Sequence, residues 1–442
     1  MVKYSHLIIA IGLLIILCSS IQKSIAQSRK NLFPLPADSK TIREQDLEPL
    51  IKLIGNARII ATTEANHGMN EPLDFRNAFI KLLVKKKIID VVIIESGITE
   101  SRLLYEYVLG KQGTINDVLY NGLSWQFHVL PQNEEIVEWL RTYNSDPKNS
   151  HKVKLYGFDM PGSPTNHVVH RKMNTALMAV LDYLKVVDPV GYTEFSNKLL
   201  PYGAYLHVNF TSHTPAEKQY IDLTAAEREK LNLHIQELIQ YIEVNGIVFT
   251  ERSSRQDYEW NYQSVLNARH TINLANYIPL NYKVVSHKEL EASDYLRKIV
   301  RYRDRVMVDN IEWILGREPG SRVLLFAGAG HLLKSPVNIA LDSGQTYQRE
   351  CAGNYLSQRY KNDYVVIGNL VAKENESIIE NKFIDDQHAN YFLKIPREDA
   401  GFLREESKQL DYQSKNMKLD IAKAIDIVLF NRRQTMVKFR GN

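Results

Sequence analysis

Cysteine is almost absent from this chain: it occurs twice in 442 residues, at Cys18 and Cys351. Cys18 lies in an N-terminal segment that we expect to be removed, so Cys351 is the one cysteine expected in the mature protein. One cysteine excludes an intrachain disulfide and a metal site built from thiolates. If the protein is exported, disulfides therefore do not stabilise it.

Long apolar runs are absent too. The run Leu7–Cys18 has twelve residues, whereas a helix needs ~20 to span a bilayer. Lys3 precedes it and the small-x-small stretch Ser24-Ile25-Ala26 follows it, so residues 1–26 are predicted to be a cleaved secretory signal peptide. An uncleaved anchor is the alternative. We expect a periplasmic or secreted protein without stable membrane insertion after cleavage.

The net charge is small, +4 at pH 7. Hydrophobic residues make up 44% of the chain and charged residues 24%. This composition is ordinary for a globular protein. The basic run Lys85-Lys86-Lys87 ends a predicted helix, where cations suit the helix dipole. We therefore expect no nucleic-acid partner. The sequence contains no internal repeat and leaves the oligomeric state open.

Short apolar runs rich in β-branched residues predict buried strands. Five such runs are Arg58–Thr63, Val91–Glu95, Val153–Phe158, Val323–Ala327 and Tyr364–Leu370. An amphipathic segment, Leu73–Val84, lies between the first two and gives a β-α-β unit. This order predicts the α/β class with a mostly parallel central sheet. Two later strands are predicted at Tyr391–Ile395 and Ile425–Phe430.

The middle of the chain has helical periodicity instead. Apolar residues recur at helical spacing between Asn166 and about Leu315, and Thr224-x-x-Glu227 is a capping box. We interpret 166–315 as a helical insertion or cap, with 27–165 and 316–442 as the two parts of the α/β domain. Its aromatics, such as Trp260, are expected mainly to pack between helices.

Titratable residues lie at the ends of four of the predicted strands or just after them. They are Glu64, Glu95, Asp159 and His331. Ligands of open α/β sheets bind outside the carboxyl ends of the strands, so we expect an active-site cleft there.

The densest group of polar residues is the stretch from Thr63 to Pro72. Pro72 suits the first turn of a helix, so the residues before it are predicted to form a loop, with Arg76 inside the helix. His67 lies in this loop between Glu64 and Glu71. A carboxylate can orient an imidazole so that it takes a proton from water. Arg76 can keep a carboxylate ionised or stabilise a developing oxyanion.

Several motifs together resemble the erythromycin esterase family. They are Glu64-x-x-His67-Gly68-x-x-Glu71 with Arg76, the strand ending in Glu95, Glu138-Trp139-Leu140-Arg141-x-Tyr143-Asn144, Gly157-x-Asp159, Arg303-Asp304-x-x-Met307-x-x-Asn310, the strand leading to His331, and Gly353-Asn354-Tyr355-Leu356. The resemblance covers most of the mature chain. It implies an α/β core with a helical subdomain, an acidic cleft, and hydrolysis of a macrolide lactone by water without a metal.

The resemblance also assigns roles to residues. It places the general base on His67 and the supporting groups on Glu64, Glu95 and Arg76. The family usually has His-Asn-x-His after the late strand, whereas this chain has Gly328-Ala329-Gly330-His331. The missing first histidine puts macrolide ring opening in doubt.

Arg303, Met307 and Asn310 share one face of a predicted helix. We interpret them, and Asn310 above all, as a buried polar clamp that docks this helix on the sheet. Glu71, Asp159, His331, Arg303 and Asn310 are thus expected to bind substrate or to support the site.

Two other functions stay open at this point. The first is a metal-dependent hydrolase, since Glu64, His67, Glu71, Glu95 and His331 include suitable ligands for Zn²⁺ or Mn²⁺. The second is a binding protein without catalysis, holding a small ligand or a haem through His67 or His331. We expect a small ester or macrolide-like substrate and no cofactor, a divalent metal being possible but not favoured. The sequence leaves the natural substrate open.

Overall fold

A computed structural model describes residues 32–162, 170–211, 218–286, 289–290, 293–340, 346–373, 379–395, 411–412 and 414–440. The predicted signal peptide, and Asn166 at the predicted start of the insertion, lie outside these residues. The chain divides into two compact units. The first unit comprises residues up to Lys86 together with Leu324–Met436, and the second comprises Lys87–Val323 and the last six residues.

The described residues contain fourteen β-strands. They are β1 (Leu32–Leu35), β2 (Ile59–Glu64), β3 (Val91–Gly97), β4 (Lys154–Asp159), β5 (His170–Lys172), β6 (His207–Asn209), β7 (Val323–Gly328), β8 (Val337–Ala340), β9 (Thr346–Arg349), β10 (Tyr364–Val371), β11 (Asn390–Lys394), β12 (Asp411–Tyr412), β13 (Ser414–Lys418) and β14 (Ile427–Asn431).

The same residues contain fourteen α-helices. They are α1 (Glu44–Ile54), α2 (Asn70–Lys85), α3 (Arg102–Val108), α4 (Ile115–Gly122), α5 (Pro131–Ser145), α6 (Thr175–Val187), α7 (Pro189–Gly203), α8 (Ala225–Val244), α9 (Gly246–Arg252), α10 (Arg255–Ala275), α11 (Asp294–Arg317), α12 (Ala329–Leu332), α13 (Ala352–Tyr360) and α14 (Ile421–Ala424). None of these helices is both long enough and apolar enough to cross a membrane.

The first unit is built on a mainly parallel sheet in the order β1-β11-β14-β10-β2-β7. Strand β10 runs parallel to both β2 and β14, while β11 and β1 are antiparallel additions at one edge. Every residue of β2 is buried, as expected for an apolar strand covered on both faces. A second sheet, β12-β13-β8-β9, is antiparallel.

The second unit contains the parallel pair β3–β4 and most of the helices. Helix α8 begins at the predicted capping box, in which Thr224 and Glu227 bond to each other's backbone amides. A core of leucine, isoleucine, valine and aromatic side chains from α6, α7, α8 and α10 fills this helical part. A short antiparallel pair, β5–β6, was not predicted.

All seven predicted strands are present, with ends displaced by at most two residues. The α/β class and the mainly parallel sheet are therefore confirmed. The predicted division at residues 166 and 315 stays a prediction.

Candidate active site

The first unit contains the imidazole–carboxylate pair expected from the spacing of Glu64 and His67. Glu64 is the last residue of β2, and its Oε1 lies 2.7 Å from Nδ1 of His67. The Glu64 side chain is only 3% exposed, whereas that of His67 is 52% exposed. Gly68 follows with a φ of +73°, which favours glycine because this conformation costs other residues strain. The turn thus leaves a buried carboxylate holding a half-exposed imidazole.

Asn369, near the carboxyl end of β10, fixes the start of this loop. Its Oδ1 accepts from the amide of Ala65 at 3.2 Å and from Nε2 of Gln434 at 2.7 Å. Its own backbone amide donates to Oγ1 of Thr63 at 3.0 Å. The loop residues before His67 are therefore held by a fully buried amide. The sequence signal for this role is an asparagine inside an apolar strand, and the sequence analysis missed it.

Glu71 does not lie in the loop, contrary to the prediction, because α2 begins one residue before it, at Asn70. Its two carboxylate oxygens accept from the backbone amide and the hydroxyl of Thr435, each at 2.8 Å. Within the described residues, Glu71 bonds to this C-terminal segment and not to His67. The geometry gives Glu71 the role of an anchor for the start of α2.

Arg76 is buried in α2. Its Nε and Nη2 donate to Oδ1 of Asn77 at 3.0 and 2.8 Å. The guanidinium carbon lies 4.6 Å from the centre of the Phe326 ring in β7, a cation–π contact. Arg76 thus has a fixed position between α2 and β7.

The turn after β7 carries the residues by which the chain departs from the resembled family. His331 lies in α12 and is mostly buried. Gly328, just before α12, has φ −53° and ψ 140°, a conformation that any residue adopts. Position 328 therefore has no backbone requirement for glycine.

The second unit brings Glu95, Asp159 and Arg303 together. Nε of Arg303 donates to both carboxylate oxygens of Asp159, at 2.9 and 3.1 Å, and Nη2 donates to Oε1 of Glu95 at 3.0 Å. Burial lowers the pKa of Arg303, but the charges of Asp159 and Glu95 outweigh it and raise the pKa above its ordinary value. The guanidinium thus stays charged between two carboxylates at the carboxyl ends of the parallel strands β3 and β4.

Trp125 adds a contact that the sequence did not predict. Its indole Nε1 donates to Oδ2 of Asp159 at 2.9 Å, and the Arg303 guanidinium lies 4.6 Å from the centre of its ring. Trp125 and Gln126 have φ values of +62° and +63°. Such strain in non-glycine residues is concentrated at functional sites.

Glu100 is a second residue that the sequence analysis missed. Its Oε1 accepts from the Ser124 hydroxyl and from the amide of Gly162, the latter at 2.8 Å. Its other carboxylate oxygen is buried without a hydrogen-bond partner among the described residues. Burial raises the pKa of Glu100 to about 7, although hydrogen bonds from Ser124 and Gly162 oppose the shift.

Asn310 makes the contacts of a buried clamp. Its Nδ2 donates to the carbonyls of Phe158 and Asp159, at 3.1 and 3.2 Å, and its Oδ1 accepts from Gln263 and Asn267. Asn310 and Arg303 thus both attach α11 to the end of β4.

We expect Asn310→Ala to lower the free energy of unfolding by about 2–4 kcal/mol, because it leaves buried polar groups without partners. The change in kcat should be small. Urea unfolding and turnover are measured together, with Asn121→Ala as a control that removes an exposed bond from its side chain to Asp117. A stable Asn310→Ala protein with a large loss of turnover would contradict the interpretation as a clamp.

Comparison with known families identifies the relatives of this chain. The profile described as erythromycin esterase matches residues 84–377. The chain belongs to the erythromycin esterase family. It is a hydrolase acting on ester bonds. The matched range contains Glu95, Asp159, Arg303, Asn310 and His331, and it begins after the loop that carries His67.

Curated relatives share about a fifth of their residues with this esterase family member. An erythromycin esterase type II from Escherichia coli is 22% identical over 324 residues, which cover 71% of this chain and 70% of that protein. A putative hydrolase of Bacillus subtilis, YbfO, is 22% identical over 338 residues, covering 75% of this chain and 69% of that protein.

Solved structures show the same fold. A Bacillus cereus protein superposes with a TM-score of 0.69 at 18% identity, covering 95% of this chain and 99% of that one. The open conformation of a mutant erythromycin esterase, EreC, gives 0.66 at 15% identity, covering 92% and 98%.

The structure pairs Glu64 with His67 in one unit, and Glu95 with Asp159 and Arg303 in the other. The prediction that Glu95 and Arg76 act together with His67 stays a prediction. In the described part of the chain, no group of three or more His, Cys, Asp or Glu side chains is placed to hold a metal ion.

Proposed function

We propose that this esterase family member hydrolyses a carboxylic ester or lactone with a water molecule that His67 deprotonates. The observation that carries the proposal is the 2.7 Å contact between the buried Glu64 carboxylate and the half-exposed His67 imidazole. A buried carboxylate that orients an accessible imidazole is the arrangement general-base catalysis needs.

The contact also suggests the tautomer. Because a carboxylate accepts hydrogen bonds, the proton of neutral His67 belongs on Nδ1, facing Glu64. Nε2 then carries the lone pair that takes a proton from water. The hydroxide oxygen attacks the ester carbonyl, and the imidazolium, stabilised by Glu64, returns the proton to the leaving alkoxide. By resemblance to the family, Arg76 supports the negative charge that develops on the carbonyl oxygen, and Glu95 is a further supporting carboxylate.

The experiment that tests this function is a panel of macrolides and simple acyl esters, assayed with and without a chelator. Turnover of an ester that survives the chelator supports hydrolysis by water and His67. Turnover that the chelator abolishes would favour the metal-dependent alternative. No turnover of any ester would contradict the proposal.

We expect the wild-type protein to hydrolyse erythromycin poorly while still cleaving less hindered esters. Gly328 stands where the resembled family has a histidine, and we propose that this missing imidazole decides macrolide opening. Gly328→His is the complementary variant, because the backbone conformation at position 328 does not require glycine. Gain of erythromycin hydrolysis by this variant supports the idea. Efficient ring opening by the wild type, measured as loss of the lactone, would overturn it.

We further propose that the protein is exported and acts in the periplasm or outside the cell. The support is the sequence of residues 1–26, with its short apolar run and small-x-small end.

A further inference from the structure

Arg349, the last residue of β9, approaches the turn that follows β7. Its Nη2 and Nη1 lie 3.3 and 3.4 Å from the position that a Cβ on Gly330 would occupy. Gly330 lies in α12, between Gly328 and His331. A side chain at position 330 would crowd the guanidinium, so the glycine leaves space for it. The cation therefore lies against the turn at which this chain departs from its family.

The guanidinium of Arg349 has no carboxylate partner among the described residues. Its Nε is buried and donates no hydrogen bond there, and the side chain as a whole is half-buried. The Nε of Arg317 is likewise buried without an acceptor there, but the guanidinium of Arg317 pairs with Glu259, and that of Arg303 pairs with Glu95 and Asp159. A buried donor left without an acceptor destabilises the fold. A ligand that supplies an acceptor would remove that cost.

The surroundings of this turn connect it with the proposed active site. Helix α12 packs against β2, the strand that ends in Glu64, and against α13. A guanidinium presents donors in a planar fork, which matches the two oxygens of a carboxylate or phosphate. The guanidinium of Arg349 is therefore suited to bind an anionic ligand.

We propose that Arg349 binds an anionic group of the substrate, a carboxylate or a phosphate, beside the turn Gly328–His331. This inference rests on the proposed hydrolysis of esters and narrows the substrate to acidic esters. Arg349 then determines specificity, while the reaction itself stays with His67.

The kinetic test compares two esters with the same leaving group, neutral 4-nitrophenyl butyrate and the anionic mono-4-nitrophenyl glutarate. Wild type should favour the anionic ester in kcat/KM. Arg349→Gln should lower kcat/KM for that ester by about 10- to 100-fold, the size of effect of a lost charged hydrogen bond, and leave the neutral ester nearly unchanged. Arg359→Gln, which removes an exposed arginine of α13, is the matched control.

A binding measurement separates this inference from the proposed function. Glutarate or inorganic phosphate should raise the Tm of wild type and not that of Arg349→Gln, and the more effective anion identifies the group. If the anions act through Arg349 but neither ester is cleaved, the anion site stands and the esterase proposal fails. If wild type shows neither an anion-dependent Tm nor a preference for the anionic ester, the inference is overturned.

Gly330→Ala provides a second variant should Arg349→Gln fold poorly. It keeps the arginine and places a methyl group within 3.3–3.5 Å of the guanidinium. We expect it to weaken the preference for the anionic ester. An unchanged preference would contradict the placement of the ligand at this turn.

Discussion

Replacing His67 with glutamine is expected to lower kcat by ~10²–10⁴-fold, the usual effect of losing a general base. Glutamine can still donate a hydrogen bond to Glu64, but it cannot take a proton from water. Because the His67 side chain is 52% exposed, few packing contacts are lost, and the free energy of unfolding should change little. The measurement is kcat on the best ester of the panel, with circular dichroism and Tm as tests of folding.

His388 offers a matched control for this substitution. Its Nδ1 lies 2.7 Å from Oδ2 of Asp385, three residues before it, so the pair repeats the spacing and the distance of His67 and Glu64. His388→Gln removes the same kind of contact elsewhere in the first unit and should keep wild-type turnover. Near wild-type kcat in His67→Gln would show that another group is the base.

The activity should also fall at acid pH. The base acts only as neutral imidazole, and acid converts His67 to imidazolium, which has no lone pair to accept the proton. This loss should appear in kcat/KM for neutral esters, whose own charge does not change.

The sheet could be predicted from the sequence because its strands carry a local signal. Strands β2, β3 and β10 are short, apolar and β-branched, so burial on both faces is visible in composition alone. The short pair β5–β6 and the edge strand β1 have no such pattern. Their strand structure depends on partners distant in the sequence, as between Leu32 and Leu393.

In the candidate site, too, contacts between residues close in sequence could be predicted, and contacts between distant residues could not. Glu64 and His67 lie three residues apart, and a tight turn brings them together, so their pairing could be predicted locally. The hydrogen bond between Ala65 and Asn369 joins residues 304 positions apart, and the hydrogen bond between Thr435 and Glu71 joins residues 364 positions apart. Such contacts depend on the tertiary fold, which is why Glu71 was assigned to the wrong element and Asn369 was missed.

The burial of Glu100 also depends on the tertiary fold and could not be predicted from the local sequence. Its position three residues after Gly97 gives no sign of burial, yet the carboxyl lies so close to Gly97 that a Cβ there would overlap it. Ser124 joins Glu100 to the strained turn at Trp125, whose indole holds Asp159. A buried carboxyl is therefore part of the support for the cluster of Glu95, Asp159 and Arg303.

The pKa of Glu100 gives the sign of its effect on stability. Burial raises it from its ordinary value of 4.5 to about 7 in the folded protein. Between these two values the folded state keeps a proton that the unfolded state releases, so stability falls as the pH rises through this window. Above pH 7 the full cost is present, about 3 kcal/mol for a shift of this size.

Glu100→Gln should remove this dependence, because the amide stays neutral at every pH and its oxygen can still accept from Ser124 and Gly162. The variant has a cost of its own, since its NH₂ group replaces a carboxylate oxygen that has no partner among the described residues. That cost does not vary with pH. The free energy of unfolding of the variant minus that of wild type should therefore increase by about 2 to 3 kcal/mol from pH 5 to pH 8.

Urea unfolding at the two pH values measures this increase, with exposed Glu251→Gln as the control for removing a surface carboxylate. An equal difference between Glu100→Gln and wild type at both pH values would show that Glu100 is already ionised in the folded protein at pH 5.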